Sequence, residues 1–132
     1  MAKYVYPAKL SDDDGHVIVE FPDIENCFTE GDNLLEALEL AEDVLCMMLS
    51  DREDKDEVIP KPSNTRSIRC EDGETIALIK ADTVEYRRHT SPKAVKKTLT
   101  IPAWVNAMAE KHGVNYSQLL QDAILDHVGM KN

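Results

Sequence analysis

No stretch of this chain stays apolar long enough to cross a bilayer, and its N-terminus, MAKYVYPAKLSDDD, has no apolar leader core. Cysteine is scarce as well: Cys27, Cys46 and Cys70 are odd in number, widely spaced and without a C-x-x-C pair. That excludes a disulfide framework and a paired-cysteine zinc site, and fits a reducing cytoplasm, the expected location, with no membrane partner. His112 and His127 are 15 residues apart, too far for a local metal pair. The SDDDG run at 11–15 lacks the later ligands and closing Glu of a calcium loop. No metal and no cofactor are therefore expected. There is no internal repeat and no low-complexity segment. Positive charge is also short: 15 Lys and Arg stand against 25 Asp and Glu, a net charge of −10. So acidic a chain should be repelled by nucleic acid overall.

What is present describes a folded protein. The 132 residues are 42% hydrophobic and 30% charged, enough for one medium domain or two small ones. The charge is unevenly spread. Residues 1–88 hold 10 Lys and Arg against 22 Asp and Glu, a net of −12, while residues 89–132 hold 5 against 3, a net of +2. Only the C-terminal part is suited to phosphate; the acidic part suits a basic partner.

Tyr4–Leu10 reads as a first strand, SDDDG as a hairpin loop and His16–Phe21 as a β-branched second strand. Asn26–Glu30 makes a short third strand. Asp32 or Asn33 then caps a helix ending near Ser50, with Leu34, Leu38, Ala41, Leu45 and Met48 as its apolar stripe, widened by Ala37 and Val44. Glu36, Glu39 and Asp43 lie opposite. After a charged, proline-bearing loop, Thr75–Ala81 is a fourth strand. The fold class expected is α+β: an N-terminal antiparallel sheet with one helix on a face, over residues 1–82. Residues 83–94 read as linker, although Val84 and Tyr86 could extend strand four or start a short helix.

Residues 95–132 form a second pattern. Lys96, Thr98 and Thr100 share one strand parity, and Lys97, Leu99 and Ile101 the other. Pro102 opens a helix carrying Val105, Met108 and Ala109, and Gly113 stops it. A second helix starts at Asn115–Ser117 with Tyr116, Leu119, Leu120, Ala123, Ile124 and Val128 as its stripe. A lone strand with two short helices cannot bury an adequate core. A homodimer with two antiparallel strands answers this, and a tetramer is an open extension. The two-stranded ribbon would fit the major groove of operator DNA. This arrangement resembles the ribbon-helix-helix fold of Arc- and MetJ-type repressors.

The DNA-contact candidates follow from that arrangement. Lys96, Thr98 and Thr100 would meet base edges, and Lys97 lies between a core role and a phosphate contact. Asn115, Tyr116 and Ser117, at a helix N-terminus, would hold a phosphate or simply cap the helix. Trp104 and Tyr116 read as core rather than as base-stacking platforms.

The first half resembles the N-terminal domain of HicB antitoxins. The residues concerned are Tyr4-Val5-Tyr6-Pro7-Ala8, Asp14-Gly15, Phe21-Pro22-Asp23-Ile24, Cys27-Phe28-Thr29-Glu30-Gly31-Asp32 and Glu36-Ala37-Leu38. The resemblance implies a partial RNase H-like sheet that binds and inhibits HicA, a small basic mRNA-cleaving toxin, joined to a ribbon-helix-helix domain that represses the shared operon. RNase H chemistry needs a carboxylate cluster beginning inside the first strand. Here Tyr4–Lys9 carries no acid, Asp12–Asp14 lie beyond that span, and Glu20 stands alone, so no catalytic residue is expected. The competing reading is a free-standing repressor whose N-terminal domain senses a ligand or mediates assembly.

Overall fold

The computed structural model describes residues 2–130; Met1, Lys131 and Asn132, which the expected domain bounds include, lie outside the described residues. The chain divides into two compact units, residues 2–90 and residues from 91 onward.

In the first unit, strands β1 (Lys3–Asp13), β2 (His16–Glu20), β3 (Phe28–Gly31) and β4 (Thr75–Asp82) form one antiparallel sheet in the order β3-β2-β1-β4. Asp13 faces His16 across a two-residue turn. Asp14 and Gly15 both have positive φ, 49° and 86°, as a type I′ turn requires. The tight turn explains why Asp12 and Asp13 belong to β1 rather than to a loop.

Period 2 then sorts the side chains. Tyr6, Ala8 and Leu10 of β1, Val19 of β2 and Ile79 and Ala81 of β4 point to one face and are buried there. Helix α1 (Leu34–Asp54) covers that face with Ala37, Ala41, Leu45 and Leu49. Phe21, Ile24 and Cys27, on the turn between β2 and β3, complete the core. Asn33 is the N-cap, its side chain accepting from the Glu36 amide at 2.9 Å. Gly31 lets β3 approach this helix: a Cβ there would stand 2.5 Å from the Ala37 nitrogen. Leu34 differs from expectation. At 55% exposed it lies in the first turn, outside the buried stripe, whereas Cys46 and Leu49 are within it.

Two further differences share a cause. α1 runs past Ser50 to Asp54, and residues 83–90, expected as the start of a linker, form helix α2 (Thr83–Thr90). Both rest on Glu53. Tyr4 Oη donates to its Oε2 at 2.8 Å, Thr83 Oγ1 at 2.9 Å, and Arg87 Nη2 reaches its Oε1 at 3.1 Å. Arg87 also binds Asp54 Oδ1 at 2.9 Å and the Ser50 carbonyl at 3.0 Å. A carboxylate near the negative end of a helix is unfavourable alone, and these donors offset it. Burial and the Glu53 hydrogen bond together hold the Tyr4 phenol far above its ordinary range, so it donates to the carboxylate at any ordinary pH.

Residues 91–102 have no strand partner, and two helices follow, α3 (Ala103–Lys111) and α4 (Tyr116–His127). The expected ribbon strand is thus absent from the single chain: a ladder needs a second strand, and residues 2–90 use theirs among themselves. Among the described residues, no helix is long and apolar enough to cross a membrane.

Candidate functional site

Both helices of the second unit are set by their ends. Gly113, at φ 65°, allows its amide to reach the Glu110 carbonyl at 3.2 Å and the Val114 amide to reach Ala109 at 3.0 Å. Gly129 repeats this at φ 78°, with its own amide on Asp126 and the Met130 amide on Leu125. Each is a Schellman stop. Asn115 caps α4, its Oδ1 accepting from the Gln118 amide at 3.1 Å. Tyr116 Oη donates to Asn106 Oδ1 at 2.6 Å, joining the start of α4 to α3.

This well-formed turn has no core. No residue from 91 to 130 is buried. Leu120 is 36% exposed and Trp104 69%, with Leu99, Ile101, Met108, Leu119 and Ile124 in the same condition. Neither Trp104 nor Tyr116, read as core side chains, is buried in the single chain. Instead they border an open apolar surface. A groove of about 540 Å³ runs between residues 97–101 and α4. Lys97, Leu99 and Ile101 line it, together with Tyr116, Ser117, Leu119 and Leu120.

The candidate DNA-contact residues therefore fall into two sets. Lys97, Tyr116 and Ser117 share the groove; Lys96, Thr98 and Thr100, of opposite parity, are exposed and do not line it. Asn115 spends its side-chain oxygen on the cap, and the amides of Tyr116 and Ser117 belong to the first turn, which has no intrahelical acceptors.

In the first unit, the carboxylates examined for nuclease chemistry are spread out. Asp12 and Asp13 end β1, opposite Val17 and His16, while Glu20 lies at the far end of β2 opposite Lys9. Among the described residues, no group of three or more His, Cys, Asp or Glu is placed to hold a metal ion. Cys27 and Cys46 are buried, and burial raises both thiols to about 11. The expectations omitted the Glu53–Arg87 node and the exposed Leu40 and Met47 of α1. Spacing could have revealed the second: Leu40 and Met47 are seven apart, on one helical stripe among acids.

Comparison with known proteins bears on both units. The family profile described as HicB-like antitoxin of bacterial toxin-antitoxin system matches residues 6–124. Among solved structures, a chain of a toxin-antitoxin complex from Streptococcus pneumoniae is 31% identical, covering 95% of this chain and 99% of that one, with a TM-score of 0.62. The Burkholderia pseudomallei antitoxin HicB is 19% identical over 94% of this chain and 98% of its own, with a TM-score of 0.54, and so supports the fold. A chain of a HicA3 and HicB3 toxin-antitoxin complex is 21% identical, covering 60% of this chain and 99% of that one, with a TM-score of 0.51. No curated protein matches the chain. The four-stranded antiparallel sheet, the four helices and a match spanning both units agree: the chain belongs to the HicB-like antitoxins of bacterial toxin-antitoxin systems.

Proposed function

We propose that this antitoxin neutralises a small basic HicA-like toxin with residues 2–90 and represses its own operon with the remainder, acting in the cytoplasm as a homodimer and not as an enzyme. The observation that carries the reading is the contrast between the units. One is filled and strongly acidic; the other is unfilled, with five Lys and Arg against three Asp and Glu.

A second copy supplies what the C-terminal unit lacks. Residues 96–101 of two chains pair antiparallel, which satisfies their backbone groups. Leu99, Ile101, Leu119, Leu120 and Ile124 then close over one shared core. The ribbon is left with Lys96, Thr98 and Thr100 outward, twice over, for the major groove. The α4 start, Asn115 to Ser117, meets a phosphate and fixes the register, and Lys97 at the flared strand end turns toward the backbone.

Inhibition of the toxin is occlusion. A protein that binds and cleaves mRNA must present positive charge to phosphate, and an acidic domain laid over that surface excludes the substrate.

Co-expression with the small basic protein encoded by the adjacent gene tests this. Growth restored by this chain, together with co-purification of the pair, is the expected result. A neighbour that is harmless alone, or that fails to co-purify, would contradict it.

A further inference from the structure

The acidic unit offers a basic partner more than one surface, and charge and exposure distinguish them. The sheet face opposite α1 carries Lys3, Lys9 and Lys80 together with Glu20 and Glu30, so its charge is mixed. Its exposed apolar residues, Val5 and Leu78, share positions with those lysines. The solvent side of α1 is different. From Leu34 to Asp51 the helix has Glu36, Glu39, Glu42, Asp43 and Asp51 and no Lys or Arg. Arg52, the first cation, turns away to donate to the Val58 carbonyl at 3.0 Å, and Lys55 is held by Asp51 at 2.8 Å at the far end.

Two apolar side chains lie within this acidic side. Leu40 and Met47, two turns apart, are 37% and 49% exposed although the same helix buries Ala37, Ala41, Leu45 and Leu49 completely. Asp43 falls between them on the same stripe, flanked by Glu36 and Glu39. At 1.5 Å per residue, side chains three or four positions apart repeat roughly every 5 Å along the axis. That is a row of negative charge on the length scale of nucleic-acid phosphates, with apolar side chains between, one of them an adaptable methionine.

We infer that the exposed face of α1, centred on Leu40, Asp43 and Met47, is the toxin-docking surface and occupies the toxin's RNA-phosphate site as a substitute for RNA. This rests on the antitoxin reading above and specifies which surface performs it. The carboxylates take the places of phosphates against the toxin's Lys and Arg, while Leu40 and Met47 enter apolar positions that would otherwise meet bases. Because the charges are solvent-exposed in the free protein, their attraction is long-ranged and screened by salt.

The test uses the full chain and the adjacent-gene toxin. The double variant Asp43→Lys with Met47→Lys reverses charge at the centre of the face and should weaken toxin binding roughly 100-fold or more. The isosteric pair Glu39→Gln with Asp43→Asn removes charge without disturbing packing, and should weaken it roughly tenfold while flattening its salt dependence. Leu78→Lys, on the opposite sheet face, should leave binding unchanged. RNA should compete with this protein for the toxin. Unaltered affinity in both α1 variants, or loss of binding in Leu78→Lys alone, would overturn the assignment while leaving the antitoxin reading intact. Failure of the unaltered chain to bind the toxin at all would overturn the antitoxin reading itself, and this inference with it.

Discussion

The two units of this chain are built from the same local rules and arrive at opposite states. Residues 2–90 bury Tyr6, Phe21, Ile24, Leu45 and Leu49 almost completely, whereas residues 91–130 bury nothing. Local sequence quality does not explain the difference. α3 and α4 have clean glycine stops, α4 has an asparagine cap, and α1 has no better ends. What differs is whether the chain brings an opposing surface. The sheet and α1 cover each other; the short α3–α4 pair has an apolar side and nothing to set against it. A cap and a stripe specify a helix, but only a facing surface makes a core.

That contrast can be broken by experiment. The largest effect expected is from Leu45→Ala, which opens a cavity between α1 and the sheet and should cost about 3–5 kcal/mol. Trp104, the single tryptophan, lies in the other unit and provides a separate signal. In denaturant, the circular dichroism transition of the sheet should shift strongly while the Trp104 fluorescence transition stays in place. A joint shift would show that the two units unfold as one. Gly31→Ala should act on the same unit by overpacking β3 against the Ala37 backbone, at about 1–3 kcal/mol, again without moving the Trp104 transition.

The smallest effect concerns thiols. Cys27 and Cys46 are buried and raised to about 11 from an ordinary 9, while Cys70 is exposed. At pH 8, native alkylation should modify Cys70 fast and leave the other two protected until the unit unfolds. The buried thiols hold their protons more tightly folded than unfolded. Their contribution to stability is therefore complete below pH 9 and lost as pH rises toward 11, in the same direction as the raised Tyr4 and Tyr6 phenols. Equal labelling of all three thiols at pH 8 would contradict the burial described.

How much of this was legible in the sequence follows from which interactions are local. The hairpin at Asp14-Gly15, the caps at Asn33 and Asn115 and the stop at Gly113 depend on a few neighbouring residues, and each was readable. The charged run around Arg52, Glu53 and Asp54 read as the end of a helix. It continues because Tyr4, Thr83 and Arg87, all distant in sequence, converge on Glu53. For the same reason α2 was obscure: Val84 is its one buried apolar residue and its anchor is a charge pair. Among the site residues, parity separated Lys96, Thr98 and Thr100 from Leu99 and Ile101, yet no sequence rule could form a strand in a chain that lacks its partner. The exposed face of α1 was read as solvated because its acids drew attention away from Leu40 and Met47.

The central claim is that toxin control and operator binding reside in different units of one chain. Lys96→Ala with Thr98→Ala in the full chain tests it most directly, assayed for toxin neutralisation by growth and for operator binding at fixed low salt. The account predicts operator affinity lowered roughly 100-fold with neutralisation undiminished; a variant that loses both, or that keeps its operator affinity, would contradict it.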